Sequence, residues 1–184
     1  MNAIIIYKGK YGATKQYATW LGEELELSVQ PTSIINREQL DRYDTFLIGT
    51  SVYIGKLQVK KWMKQNQSFL QHKKIFLFQV AATPPEQKDK RQSYNLEGIP
   101  PELAGCCECY FLPGKMCMDK LSWRDRVLLK MGARLEKNEN EKRRMLTDYD
   151  EVKREHLAEI IAGVNEYFGS VRPPIPVKSE AEYR

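Results

Sequence analysis

The stretch Ala3-Ile4-Ile5-Ile6-Tyr7-Lys8-Gly9-Lys10-Tyr11-Gly12-Ala13-Thr14-Lys15 decides how the rest of the chain is read. Its first five residues form an apolar run of the kind that a strand buried on both faces shows. Two glycines follow, and then Tyr17, Ala18, Leu21 and Leu25 recur at helical spacing over residues 14–25. Strand, glycine turn and helix in that order open a βαβ unit. In such a turn Gly9 and Gly12 permit tight bends and close backbone approach, and free N–H groups can wrap an anion. The helix aims the positive end of its dipole at the same point. Thr14 can add a hydroxyl, and Lys8 and Lys10 can add positive charge. The same residues also fit a plain tight turn with Thr14 as the helix cap, and short glycine motifs do not decide between the two.

The alternation continues outward. Residues 28–32 read as a weaker strand, 37–43 as a short helix and 45–50 as a buried strand. A helix from near Leu57 carries Val59, Trp62 and Met63 on one side. Residues 74–80 are apolar nearly throughout, as a central parallel strand should be. Residues 81–101 read as a loop with paired prolines at both ends, and 107–112 as a fifth strand. Residues 123–135 form an amphipathic helix, with Val127, Leu128, Met131 and Leu135 opposed by Arg124, Arg126, Lys130 and Arg134. Residues 149–168 read as a closing helix. The pattern predicts one α/β domain over residues 1–170, a parallel sheet with helices on both faces, and a proline-containing mobile tail over 171–184. At 184 residues the chain is long enough to bury one sizeable core.

The net charge of +5 is local. Residues 115–144 hold ten Lys/Arg against five Asp/Glu, and the remainder of the chain is neutral. A basic helical segment over about 115–146 should therefore mark a surface that meets something anionic. Non-specific phosphate contact is open to it, but no recognised nucleic-acid module accompanies it. The chain enters its first strand with no basic n-region, and no apolar run approaches the ~20 residues of a membrane span, so a cytoplasmic protein is expected. Cys106, Cys107, Cys109 and Cys117 crowd one stretch. On a strand only Cys107 and Cys109 share a face, and His72 and His156 are distant in sequence, so buried free thiols are expected and no metal site.

In a sheet of this kind ligands sit at the carboxyl ends of the strands. Beside the first loop, two further ends stand out. Thr50-Ser51-Val52-Tyr53-Ile54-Gly55 puts a small polar pair and an aromatic just past a buried strand, which suits a flat ring system, or is an ordinary loop with a packed tyrosine. Ala81-Ala82-Thr83-Pro84-Pro85 supplies small residues that leave room and prolines that stiffen the loop. Together with Tyr43-Asp44-Thr45-Phe46-Leu47-Ile48-Gly49, these motifs resemble the flavodoxin-like family over most of the chain. The resemblance implies a three-layer sandwich with five parallel strands in the order 2-1-3-4-5, and FMN as cofactor. Its phosphate would fall on Lys8, Gly9, Lys10, Tyr11, Gly12, Ala13 and Thr14. Its ring would fall on Thr50, Ser51, Val52, Tyr53, Ile54 and Gly55 and on Ala81, Ala82 and Thr83. Many members open the phosphate loop with a hydroxyl residue where this chain has Lys8 and Gly9, which puts weight on backbone amides and lysine charge.

The segment from Tyr110-Phe111-Leu112-Pro113-Gly114 through Trp123-Arg124-Asp125-Arg126 and Lys130-Met131 to Thr147-Asp148-Tyr149 looks like the menaquinone-dependent protoporphyrinogen dehydrogenase branch. That branch implies an FMN-dependent oxidoreductase that passes electrons from a porphyrinogen to a quinone, with peripheral membrane contact through the basic segment. Tyr53 and Arg124 are then candidates for flavin or substrate contact, and no catalytic acid or base is assigned. A soluble electron-transfer protein with the same flavin loops is the alternative. A binding domain that has lost flavin is the third reading.

Overall fold

The computed structural model describes residues 2–171, so the proline-containing tail lies outside the described residues apart from the backbone of residue 171. In chain order the strands are β1 (Ala3–Lys8), β2 (Val29–Pro31), β3 (Thr45–Tyr53), β4 (Lys56–Leu57), β5 (Lys74–Ala81), β6 (Cys107–Pro113), β7 (Lys115–Met116) and β8 (Tyr149–Asp150). The helices are α1 (Ala13–Leu25), α2 (Arg37–Leu40), α3 (Lys60–Gln65), α4 (Gln67–Leu70), α5 (Lys88–Gly98), α6 (Trp123–Leu135), α7 (Glu139–Leu146) and α8 (Ala158–Val171).

The main sheet runs β2-β1-β3-β5-β6, and every neighbour on that path is parallel. With the short antiparallel β4 set aside, this is the expected 2-1-3-4-5 order. Side chains alternate across each strand. Ile5, Leu47, Phe76 and Phe78 therefore meet Tyr17, Leu21, Ile160 and Val164 of α1 and α8 on one face. Ile6, Phe46, Ile48, Ile75 and Leu77 meet Met63, Leu70 and Tyr94 of α3, α4 and α5 on the other. The chain is a three-layer sandwich with one apolar layer above the sheet and one below.

Four elements differ from the sequence expectation. The helix expected from near Leu57 starts at Lys60, because Leu57 pairs back onto Val52 in β4. Residues 88–98 form the helix α5, where only Tyr94 and Gly98 are buried. A single tyrosine docked on the sheet leaves no 3.6-residue period to read. The strand beginning at Thr45 runs on to Tyr53 and turns back into β4, so the second ligand-loop candidate is a β-hairpin. The closing helix starts at Ala158, and Tyr149–Asp150 pairs antiparallel with Lys115–Met116 instead. Two short strands separated by more than thirty residues carry no local signal for each other. Between them, α6 and α7 form a helical insert that rises from the carboxyl end of β6 on a two-stranded stalk.

All four cysteines are free thiols, and each is half-buried where full burial was expected. Cys106, Cys107 and Cys109 pack against the layer under α3–α5. Burial pushes the Cys109 thiol up to about 11, and raises Cys107 as well, with help from its thiol neighbours. Against the ordinary value of 9.0, the thiolate fraction of Cys109 near neutral pH falls by about a hundredfold. We expect maleimide labelling of Cys109 at pH 7 to be slower in the folded protein than in denaturant by about that factor, read by mass spectrometry. Equal rates would show that the thiol is neither buried nor shifted.

Candidate functional site

The carboxyl ends of β1, β3 and β5 carry the three expected loops, and β1 and β3 are neighbours from which the chain departs in opposite directions. This is the topological switch point where open α/β sheets bind ligands.

The first loop, residues 9–12, leads into α1 with Gly12 as N-cap in the left-handed conformation at φ 89°. No side chain caps α1, so the amides of its first turn point into the loop without one. Thr14 lies inside the first turn and not at the cap, which removes the plain-cap reading. Its Oγ1 is buried, with no hydrogen-bond partner among the described residues. Gly9 closes the other side. A Cβ there would stand 2.6 Å from Thr14 Oγ1. An orphaned hydroxyl, uncapped amides and a backbone too close for a side chain form a cradle for a tetrahedral anion.

The second loop is the hairpin from β3 to β4. Tyr53 ends β3, and the two residues of the turn, Ile54 and Gly55, both have positive φ, 49° and 70°. That pair of values fits the type I′ hairpin turn, whose first position favours Asn, Asp or Gly. A β-branched residue there stores strain, and Ile54 is also 63% exposed. We expect Ile54→Asn to raise stability by about 1 kcal/mol in chemical denaturation. An unchanged or lower midpoint would show that Ile54 makes compensating contacts. Thr50 is fully buried, and its hydroxyl accepts from the Val59 amide at 3.2 Å. Val52 leans on the core, and Ser51 donates to Gln58 at 2.8 Å. Of this loop Thr50 is buried, Ser51, Val52 and Tyr53 are half-buried, and Ile54 and Gly55 are exposed.

The third loop follows β5. Ala81 is buried and Ala82 exposed. Two arginines hold its backbone carbonyls: Arg144 of α7 donates to Ala82 at 3.3 Å, and Arg91 of α5 to Thr83 at 3.0 Å. The Thr83 hydroxyl is shared with the Tyr94 hydroxyl at 2.8 Å. Thr83 therefore serves the loop's own shape.

The helical insert lies across all three loops. Ser122 caps α6, its Oγ accepting from the Asp125 amide at 3.2 Å, and this turns Asp125 toward the sheet. The Asp125 side chain is only 5% exposed. It accepts from Tyr11 Oη, from Tyr53 Oη at 2.5 Å and from Lys10 Nζ at 2.6 Å. One carboxylate thus ties the first loop to the second. Its hydrogen bond holds the Lys10 ammonium above the ordinary lysine range, and the Tyr53 ring lies 4.4 Å from the same nitrogen. The charge of Lys10 is met inside the chain, so an anion at the loop depends on the amides, Thr14 and the exposed Lys8. On the other side of the insert, Glu141 of α7 accepts from Gln87 and pairs with Lys90 at 3.6 Å. A hollow of about 380 Å³ opens beside the third loop, lined by Pro84, Arg143, Arg144 and Tyr149 among others.

Asp125, Arg91 and Arg144 are not among the residues that sequence reasoning singled out for the loops. For Asp125 the available signal was the Ser122-x-x-Asp125 spacing, which marks a helix start with its carboxylate in the first turn. Arg124, a candidate from sequence, is exposed on α6. It stacks near Trp123 at 5.4 Å, and its side chain is not among those meeting the three loops.

Residues 4–143 match the family described as the flavodoxin domain. No curated protein matches the chain. Among solved structures, a flavodoxin from the domain Archaea aligns at 18% identity over 61% of this chain and 85% of that one, with a TM-score of 0.43. The two-electron reduced flavodoxin of Megasphaera elsdenii aligns at 15% identity over 60% and 84%, at 0.45. The Trp repressor binding protein of Bacillus subtilis aligns at 12% over 61% and 83%, at 0.39.

Proposed function

The chain belongs to the flavodoxin domain family, and from that premise we propose that it binds one FMN at the three loops and acts as an FMN-dependent oxidoreductase. The observation that carries this reading is the orphaned Thr14 hydroxyl facing Gly9 at the uncapped start of α1. A phosphate gives that hydroxyl an acceptor, and gives the first-turn amides one as well. Tyr53 and Ile54 at the hairpin tip would flank the ring, and the small side chains of Ala81 and Ala82 leave room for its other edge. Bound FMN supplies reversible acceptance of one or two electrons, and the protein supplies binding, orientation and electrostatics. Asp125 holds Tyr53 and Tyr11 in place through their hydroxyls, which fixes the hairpin relative to the phosphate loop.

The finer reading is a reduced substrate bearing carboxylates, oxidised with transfer to a quinone-type acceptor, as in protoporphyrinogen dehydrogenation. Support comes from the basic excess of residues 115–144 and from Arg143 in the hollow next to the third loop, whose other charged lining residues are Glu141 and the Glu151-paired Arg144. The absorbance spectrum of the purified protein, with flavin extraction to separate FMN from FAD, tests the cofactor. An anaerobic assay of protoporphyrinogen oxidation with a menadione-type acceptor tests the substrate, and no turnover by flavin-loaded protein removes it. The alternative, a soluble electron-transfer protein, shares the flavin contacts. It predicts a stabilised semiquinone in redox titration and reduction by a partner reductase, without small-molecule turnover.

A further inference from the structure

We propose that the outer face of α6 docks on an anionic lipid surface. The helix has its sides reversed relative to an ordinary surface helix. Asp125 and Ala133 face the protein. On the opposite side Trp123, Val127, Leu128, Met131 and Leu135 stand in water, with Trp123 71% and Leu135 82% exposed. At about 100° per residue these five fall on one continuous side of the helix, not at scattered positions.

The charges on α6 select the partner. Its sequence holds four basic residues and a single acid, and that acid, Asp125, is the side chain turned inward. Arg124, Lys130 and Arg134 are exposed beside or between the apolar side chains, not opposite them as the sequence pattern suggests. An apolar row flanked by cations, with a tryptophan at one end, suits the boundary between lipid head groups and acyl chains. A second copy of the chain docked face to face would set the three exposed cations against three. A nucleic acid would meet the charges and leave the apolar row in water. No helix among the described residues is long and apolar enough to cross a membrane, so the contact is a surface one. Because Asp125 ties the inner side of α6 to the first two loops, the docked helix would turn the cofactor end of the sheet toward the lipid.

The test uses the full chain and extruded vesicles, either pure phosphatidylcholine or phosphatidylcholine with a quarter phosphatidylglycerol, in co-sedimentation at low and high salt. We expect binding to the anionic vesicles that weakens with salt, a blue shift of Trp123 fluorescence, and little binding to pure phosphatidylcholine. The double variants Met131→Ser/Leu135→Ser and Arg124→Gln/Arg134→Gln should each lose binding by roughly tenfold or more. Their thermal unfolding should match the parent, since these side chains stand in solvent. The proposal is overturned by absence of sedimentation with anionic vesicles, or by binding that survives both double variants. It is equally overturned by a wild-type dimer in size-exclusion chromatography that Met131→Ser/Leu135→Ser converts to monomer without lipid binding. The readout is lipid association, so it is independent of whether flavin is bound.

Discussion

Replacing Gly9 by valine is expected to abolish flavin binding, leaving a folded but colourless protein. The Cβ of any residue at position 9 would stand 2.6 Å from Thr14 Oγ1 and 2.7 Å from Thr14 Cβ, closer than side chains pack. The clash can be relieved only by moving Thr14 or the loop backbone, and both belong to the proposed phosphate cradle. Losing a hydrogen bond to a charged group costs about 1.5–3 kcal/mol, and misaligned first-turn amides add to that. Affinity should therefore fall by at least about a hundredfold. Thr14→Ala is the graded control. It removes the orphaned hydroxyl without a clash and should weaken FMN binding by about tenfold. It should leave stability nearly unchanged, because the hydroxyl has no partner among the described residues. Isothermal titration of flavin-free protein with FMN measures both variants. Full affinity in Gly9→Val would place the phosphate elsewhere. Gly12→Asp probes the same loop by another route, since any side chain at φ 89° is strained even though the space beside it is open.

Asp125→Ala is expected to release the helical insert from the sheet. The carboxylate receives Lys10, Tyr11 and Tyr53, from two loops more than forty residues apart in sequence. Breaking a fully buried ion pair costs about 3–5 kcal/mol, but the Lys10 side chain is 38% exposed and regains water. The expected loss is therefore smaller, about 2–3 kcal/mol, shared between the two tyrosine bonds and the ion pair. It should appear as a lower denaturation midpoint and as faster proteolytic cutting within residues 115–147. Asp125→Asn keeps the shape and one acceptor oxygen, and should fall between the parent and the alanine variant. If both variants unfold within about 0.5 kcal/mol of the parent, the cluster contributes little and the insert is held by the Arg144 and Glu141 contacts instead.

Much of the fold was legible in local pattern because buried parallel strands announce themselves. Residues 74–80 are apolar at nearly every position since both faces of β5 are covered. The helix over Trp123–Leu135 was legible end to end, with Ser122 marking its start. α5 was not legible, because a helix that buries little besides Tyr94 has no apolar period. β8 was not legible either, because a two-residue strand exists only through its partner at Lys115–Met116. At the site, the glycines of the first loop and Tyr53 at the hairpin tip could be picked out by residue type. That Thr50 and Thr83 spend their hydroxyls on Val59 and Tyr94 could not, since residue type does not say which way a side chain turns.

By itself, the sequence determined the alternation of strands and helices, the glycine turn at residues 9–12 and the concentration of positive charge in residues 115–144. These are properties of neighbours along the chain, set by backbone freedom, side-chain period and composition. Only the tertiary structure decided that the apolar side of α6 faces away from the protein and that its one carboxylate faces in. It also decided that Lys10, read from sequence as a partner for phosphate, has its charge met by Asp125. The physical reason is the same in both cases. Amphipathic spacing defines two sides of a helix but not which one docks, and a charge finds its partner through space, here across 115 residues.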